Sequence, residues 1–409
     1  MYQLFQVKSY PNNKQRLIIP STTYANMKHI SALRHGLQSL SCDILTHHRH
    51  TNIMYVSSAI MRKCSLKNNT IILLTIDQHT CHIHYPLGVF IHDAPNKIAH
   101  ARLLQEMARV GHSMGFESIF FSYQHIEKDS ASLTGFVWDE HNWHTIKTEI
   151  PPVIYNRIPN RKMEANQYVA NTKNQLAAHS IIFNPHFFNK WQLYDKLINQ
   201  ETISYLLPDT IFHPSIQMIE QKLEEHPVYV ESLQQDTTFH LAKRGDTIVV
   251  TNKKGEQFYY PTVARLALIH FPNGFHQYVL QDDINTNTYH GEPYYMKVHL
   301  NKIKDWHVSF LYGKQRTNGD IIDADHLPKI SKTKSLAISI SNDLEKILPG
   351  PIGELGLDIG IDQEQKLWLL EFHAKPTWKI LSHPSFSSHT HQYFTSLFQF
   401  SFVTQLDFV

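Results

Sequence analysis

Residues 354 to 376 read ELGLDIGIDQEQKLWLLEFHAKP. Apolar residues alternate from Leu355 to Asp362, four polar residues follow (Gln363-Glu364-Gln365-Lys366), and apolar character returns from Leu367 to Phe372. That pattern predicts a buried antiparallel hairpin. With the four polar residues as the loop, residue 362 faces 367 and Asp358 faces Glu371. Strand alternation places Glu371, His373 and Lys375 on one face and Trp368, Leu370 and Phe372 on the other.

Two carboxylates directly opposite each other repel, and a cation between them reverses the sign. Acid, acid, imidazole and ammonium on one sheet face is the layout of a hard-metal and phosphate site. The alternative is a half-exposed hairpin with one wet face. Converging acids without a metal predict that at least one of them titrates high. An Asp on a strand, then Glu-x-His thirteen residues later with Pro376 just beyond, resembles the metal-binding hairpin of ATP-grasp enzymes, where the third ligand is Asn. His373 departs from that pattern, because imidazole is bulkier and offers nitrogen, which magnesium rarely accepts.

Composition bounds the possibilities. The 409 residues, 42% hydrophobic and 18% charged, suit a soluble chain of roughly two to four units. A balance of 38 basic against 36 acidic residues supplies no field for nucleic acid, and no nucleic-acid partner is expected. Three cysteines, Cys42, Cys64 and Cys81, without paired spacing fit a reducing cytosol. The start MYQLFQVKSYPNNK lacks a basic region followed by an apolar run, and no stretch approaches the ~18 apolar residues of a spanning helix, so membrane insertion is not expected. The 29 histidines against 15 glycines invite a metal reading. His79, Cys81, His82 and His84 fall on one predicted strand, where two ligands sharing a face do not make a zinc site.

Residues 1 to 85 are β-rich. Leu17-Ile18-Ile19-Pro20-Ser21 and Met54-Tyr55-Val56-Ser57-Ser58 echo each other as a strand followed by a serine able to cap a helical turn, and a small pseudo-twofold β-barrel is one explanation. From Pro86 the pattern becomes a strand, a helix over Lys97 to Met114 closed by Gly115, and a strand from Ser118 to Ser122: a β-α-β unit with parallel pairing. Val137-Trp138 and Trp143-His144 predict a hairpin. The strand in Pro151 to Arg161 ends in Arg157 and Arg161, beyond the carboxyl end, where α/β sheets bind ligands. Asp320 to Leu336 is expected as a surface loop, Ser341 to Leu348 as a helix capped by Ser341 or Asn342, and the aromatic tail from His389 as a packed helix, with an exposed docking stripe as the alternative.

Four motifs in order, YNRIPNR, FN…FFNKWQLYDKL, LPDT and the hairpin, resemble the YheC/YheD-type endospore coat-associated proteins, an ATP-grasp family; the resemblance runs from about Leu87 to Thr395. It implies ATP and Mg2+ as cofactors and ATP-dependent carboxylate-amine ligation. It also implies Lys190, Gln281 and Lys375 on the nucleotide, Arg157, Arg161 and Lys297 in catalysis, and the metal on Asp358, Glu371 and His373. Family members carry a second lysine and a glycine-rich loop after the strand Pro227 to Val230, where this chain has Glu231-Ser232-Leu233-Gln234-Gln235-Asp236. An acid near a triphosphate is unfavourable, and no glycine lets the backbone approach.

The fold class expected is therefore α/β and α+β: a small N-terminal β domain (1–85), a pre-ATP-grasp α/β domain (86–180) and an ATP-grasp-like domain of two lobes (181–409). The function implied is that of a coat-associated ATP-grasp homologue with weak or no nucleotide binding, located in the mother-cell cytoplasm and spore coat among coat-protein partners. An active ligase and a purely structural assembly protein are the alternatives. Arg157, Arg161, Lys190, Lys297 and Lys375 are expected along one concave basic surface.

Overall fold

The computed structural model describes residues 2–408 except 37, 50, 78, 100, 128, 129 and 234–236. Among the described residues the chain builds three sheets. The first takes thirteen strands from the N-terminal half and turns on the strand Thr80–Phe90. That strand pairs antiparallel with Ile71–Asp77 and parallel with Ala32–His35, Phe116–Phe121 and Val153–Asn156. Its burial alternates up to His84 and is continuous from there to Phe90, as a strand must when it passes from a sheet with one wet face to one covered on both. Position 85/86 thus falls inside a single strand.

The two echoing N-terminal segments pair with each other, Leu17 against Val56 and Ile18 against Tyr55, and each leads into a short helix, Ser21–Tyr24 or Ser58–Lys63. The expected serine caps do not form; Ser57 Oγ accepts from the Arg16 N–H instead. The barrel is not closed either, since among the described residues no ladder joins Gln38–Ser41 to Asp43–His47.

The β-α-β unit is present, with the helix at Ala101–Ser113 and Gly115 at φ +85° behind it. The tryptophan hairpin pairs Trp138 with Trp143. Over this unit lies the C-terminal helix Thr390–Phe408, whose Tyr393, Phe394, Leu397, Phe398 and Phe400 are buried. Each such side chain contributes roughly 1.5–3 kcal/mol on burial. A Cβ at Gly111 would stand 2.4 Å from the Phe398 ring, so any side chain there would force that ring to move.

The second sheet is antiparallel, in the order Thr210–Phe212, Tyr278–Asp282, Val228–Ser232, Thr238–Arg244, Thr247–Asn252 and Gln257–Tyr260. The third runs Ile321–Ile322, Trp306–Gln315, Glu292–Lys302, Glu354–Ile361 and Leu367–His373. One face of it packs on an 18-residue helix, Ile330–Ile347, which replaces the loop expected up to Leu336. Ser341 lies buried inside this helix and donates to Ala337 O at 2.8 Å, so it bonds its own preceding turn rather than capping.

Candidate functional site

The hairpin forms at Glu354–Ile361 and Leu367–His373, and Asp358 pairs with Glu371. The symmetric loop does not exist: Ile361 pairs with Leu367, and a bulge between Asp358 and Ile359 restores the register. The bulge also re-sorts the faces. Leu367, Leu369 and Phe372 enter the core, while Trp368 and Leu370 stay half-buried on the other side.

A row of facing residues crosses four adjacent strands, Tyr312, Lys297, Asp358 and Glu371. Lys297 Nζ donates to both Asp358 oxygens, at 2.7 and 2.8 Å. His373 Nε2 lies 3.3 Å from Asp358 Oδ1 without hydrogen-bond alignment, and its Nδ1 is 3.8 Å from Glu371 Oε1. Burial works to raise the Asp358 carboxyl, but Lys297 and His373 outweigh it and hold it well below the usual carboxylate range. Asp358 therefore does not titrate high, because the protein's own ammonium supplies the expected cation. Burial likewise opposes the charged form of His373, but Glu371 and Asp358 together raise it.

The cation beside the acids is Lys297. Lys375 turns away to bind Glu164 at 2.7 Å, with its side chain 1% exposed, and burial brings it down to about 8. Lys173 shares that carboxylate at 3.2 Å. Arg157 is drawn inward as well, 3.1 Å from Glu354 Oε1, donating to Pro376 O at 2.7 Å and lying 4.3 Å over the Trp378 ring.

Lys190 opens the helix Lys190–Leu197, which Asn189 caps. Its ammonium bonds Glu231, on the neighbouring sheet. Burial would lower Lys190, but Glu231 and then Glu371 raise it. Arg161 is within electrostatic reach of it and donates to Phe188 O at 2.9 Å. Gln281 donates to Thr210 Oγ1 at 3.0 Å, and its strand Tyr278–Asp282 is flanked by ladders on both sides. Of the segment after the strand Val228–Ser232, Gln234, Gln235 and Asp236 lie outside the described residues.

The cations thus separate: Lys297 is bound to Asp358, Lys190 to Glu231 with Arg161 within electrostatic reach, and Arg157 and Lys375 are locked in inner ion pairs. A cleft of about 380 Å³ is lined by Arg161, Phe187, Phe188 and Leu233, and none of Asp358, Glu371, His373 or Lys297 borders it. Asp358, Glu371 and His373 do bring one donor atom each within 4.8 Å of the others. Both oxygens of Asp358 are already bonded to an ammonium, and one donor of the three is nitrogen. That set is poorly suited to Mg2+, which demands near-octahedral oxygen.

Sequence reasoning missed Glu231 as the partner of Lys190, Glu164 as the partner of Lys375, and Glu354 as the hub of a buried network. Glu354 accepts from the Tyr155 and Tyr393 hydroxyls as well as from Arg157. The signal available was an acid in an otherwise apolar strand. Its donors, however, stand far away in sequence.

A model of YheC/D-like ATP-grasp proteins matches residues 179–328 and 314–403, more than half of the chain. The endospore coat-associated protein YheD of Bacillus subtilis is 24% identical over 390 residues, covering 86% of this chain and 85% of that protein. Among solved structures, the D-alanine-D-alanine ligase from Coxiella burnetii superposes with a TM-score of 0.50 at 8% identity, covering 79% of this chain and 95% of the ligase. D-alanyl-alanine synthetase A from Vibrio cholerae gives 0.48 at 11% identity, over 79% and 99%. At such identities the structural likeness is one of fold.

Proposed function

The chain belongs to the YheC/D-like ATP-grasp family, and from that premise we propose that it acts in the spore coat as an ATP-grasp homologue whose nucleotide binding and ligation are weak or lost. One observation carries the reading: Lys190, the lysine expected on phosphate, is bound to Glu231, which stands where the family resemblance calls for a second lysine. A triphosphate reaching this point meets a neutralised pair in place of two cations. Such loss of electrostatic stabilisation removes ~2.7–4 kcal/mol when one comparable donor is deleted.

On this reading Arg161 and Lys297 keep the places of substrate-facing cations, Asp358, Glu371 and His373 those of metal ligands, and Gln281 that of a nucleotide contact. Arg157 and Lys375 hold segments together. The division at 180 belongs to the same proposal, as does action in the mother-cell cytoplasm with coat proteins as partners, whereas a division at 85 would cut the strand Thr80–Phe90. No helix is long and apolar enough to cross a membrane among the described residues. An assembly role through the aromatic tail is disfavoured by its burial.

Titration calorimetry of the purified chain with ATP and magnesium tests the proposal. Binding too weak to reach the micromolar range, or none, is the expected result. Micromolar, magnesium-dependent binding, or ADP release with any acid and amine pair, sinks it in favour of an active ligase.

A further inference from the structure

Where the strand Thr80–Phe90 changes from alternating to continuous burial, three donors converge from separate segments. His84 lies in that strand, His112 in the last turn of the helix Ala101–Ser113, and Glu117 in the strand Phe116–Phe121. Each offers one ligand atom, and these atoms all lie within 4.8 Å of one another. The two imidazole rings are 4.8 Å apart at their centroids.

His84 is 2% exposed, and its Nδ1 has no hydrogen-bond partner among the described residues. A buried polar atom left unpaired calls for a cause, and an absent ion is one of them. Glu117 is buried too, whereas His112 is only partly so, which leaves a way in from solvent. We propose that His84, His112 and Glu117 bind a transition-metal dication of the zinc class, with water in the fourth position.

Two imidazoles and a carboxylate form a donor set that zinc accepts and that magnesium and calcium do not. Bonds of about 2.0–2.2 Å require the donors to close to roughly 3.4 Å of one another, within reach of side-chain rotation. The surroundings are mixed in sign. Arg34 acts on both histidines and works against a dication, His35 and His82 also face His84, and Glu140 near His112 works for it. Binding needs both imidazoles neutral and the Glu117 carboxyl ionised, so metal loading competes with protons at this site. An ion here would tie the end of a helix to two strands of the first sheet. None of these residues belongs to the acid row, so the inference stands or falls independently of the nucleotide question.

The test uses the full chain stripped with EDTA, then titrated with Zn2+ against a chromophoric chelator that keeps free zinc too low to occupy surface histidines. Co2+ serves as the spectroscopic probe. The expected results are one zinc per chain, a zinc-dependent rise in melting temperature, and the visible bands of four-coordinate Co2+. Glu117→Gln keeps the side-chain shape and should weaken zinc at least as much as the roughly 10–100-fold that loss of a group supporting a metal ligand costs, and His112→Ala should weaken it more. The double variant Glu371→Gln/His373→Asn should bind zinc as the unmodified chain does. The proposal is overturned if no zinc binds under these conditions, if Glu117→Gln leaves affinity unchanged, or if binding is lost with the Glu371 and His373 changes instead.

Discussion

One strand, Glu354–Ile361, buries two carboxylates on the same face four residues apart, and they are held in opposite ways. Glu354 is fully buried and receives Tyr155, Tyr393 and Arg157, which come from the first sheet and the C-terminal helix. Burial, and then the Glu354 charge, push both phenols well above their ordinary value, so they remain donors. Asp358 has Lys297 from the adjacent strand and faces the half-exposed His373 and Glu371. The first acid is sealed by distant segments and joins parts of the fold. The second is neutralised within its own sheet and borders half-exposed side chains, where chemistry would have to occur.

Breaking the sealed acid should have the largest effect. Glu354→Gln strands the Arg157 charge, and removal of one partner from a buried pair costs about 3–5 kcal/mol. Chemical denaturation should show that loss, and a change below about 1 kcal/mol would mean that the network is incidental. Lys297→Met should cost toward the low end of that ~3–5 kcal/mol range, because His373 remains to compensate Asp358. The same variant should move the Asp358 carboxyl upward, readable as a carbon-13 NMR titration.

Freeing Lys190 is expected next. Glu231→Gln should raise ATP affinity about tenfold, or ~1.4 kcal/mol, with a further gain in Glu231→Lys/His373→Asn. If calorimetry shows no gain in either variant, the cleft rather than its charge is the barrier.

Asp358 and its neighbour His373 also give stability a pH signature. The depressed Asp358 contributes stability that is present above its unfolded value of ~3.9 and is lost as pH falls toward its folded value. The raised His373 contributes stability that is complete below ~6.5 and is lost as pH rises through its folded value. Denaturation midpoints should therefore fall on both sides of a window between these limits, and His373→Asn should flatten the alkaline side and, because His373 also holds Asp358 down, weaken the acid side. The smallest expected effect is that of Glu371→Gln. Its half-exposed side chain should change stability by less than about 1 kcal/mol while lowering the His373 titration followed by proton NMR.

The sequence by itself determined the hairpin, the β-α-β unit, the tryptophan hairpin and the packed aromatic tail. Each follows from apolar periodicity over a short stretch, a local property that burial enforces. Even there, the pairing of Asp358 with Glu371 emerged from a symmetric loop that does not exist. The real turn displaces the register by one residue, and a bulge, which alternation cannot reveal, restores it. The long helix Ile330–Ile347 escaped because its buried serine reads as a cap when its surroundings are unknown.

Only the tertiary structure decided what each charge does. Lys190 meets Glu231 from 41 residues away, Lys375 meets Glu164 from 211, and Glu354 meets Tyr155 from 199. His84 gains donors from a helix and a second strand that no spacing along its own strand discloses. Periodicity reports which face of an element is wet. Electrostatic partnership depends on distance through space, and the chain's crossings set that distance independently of the local pattern.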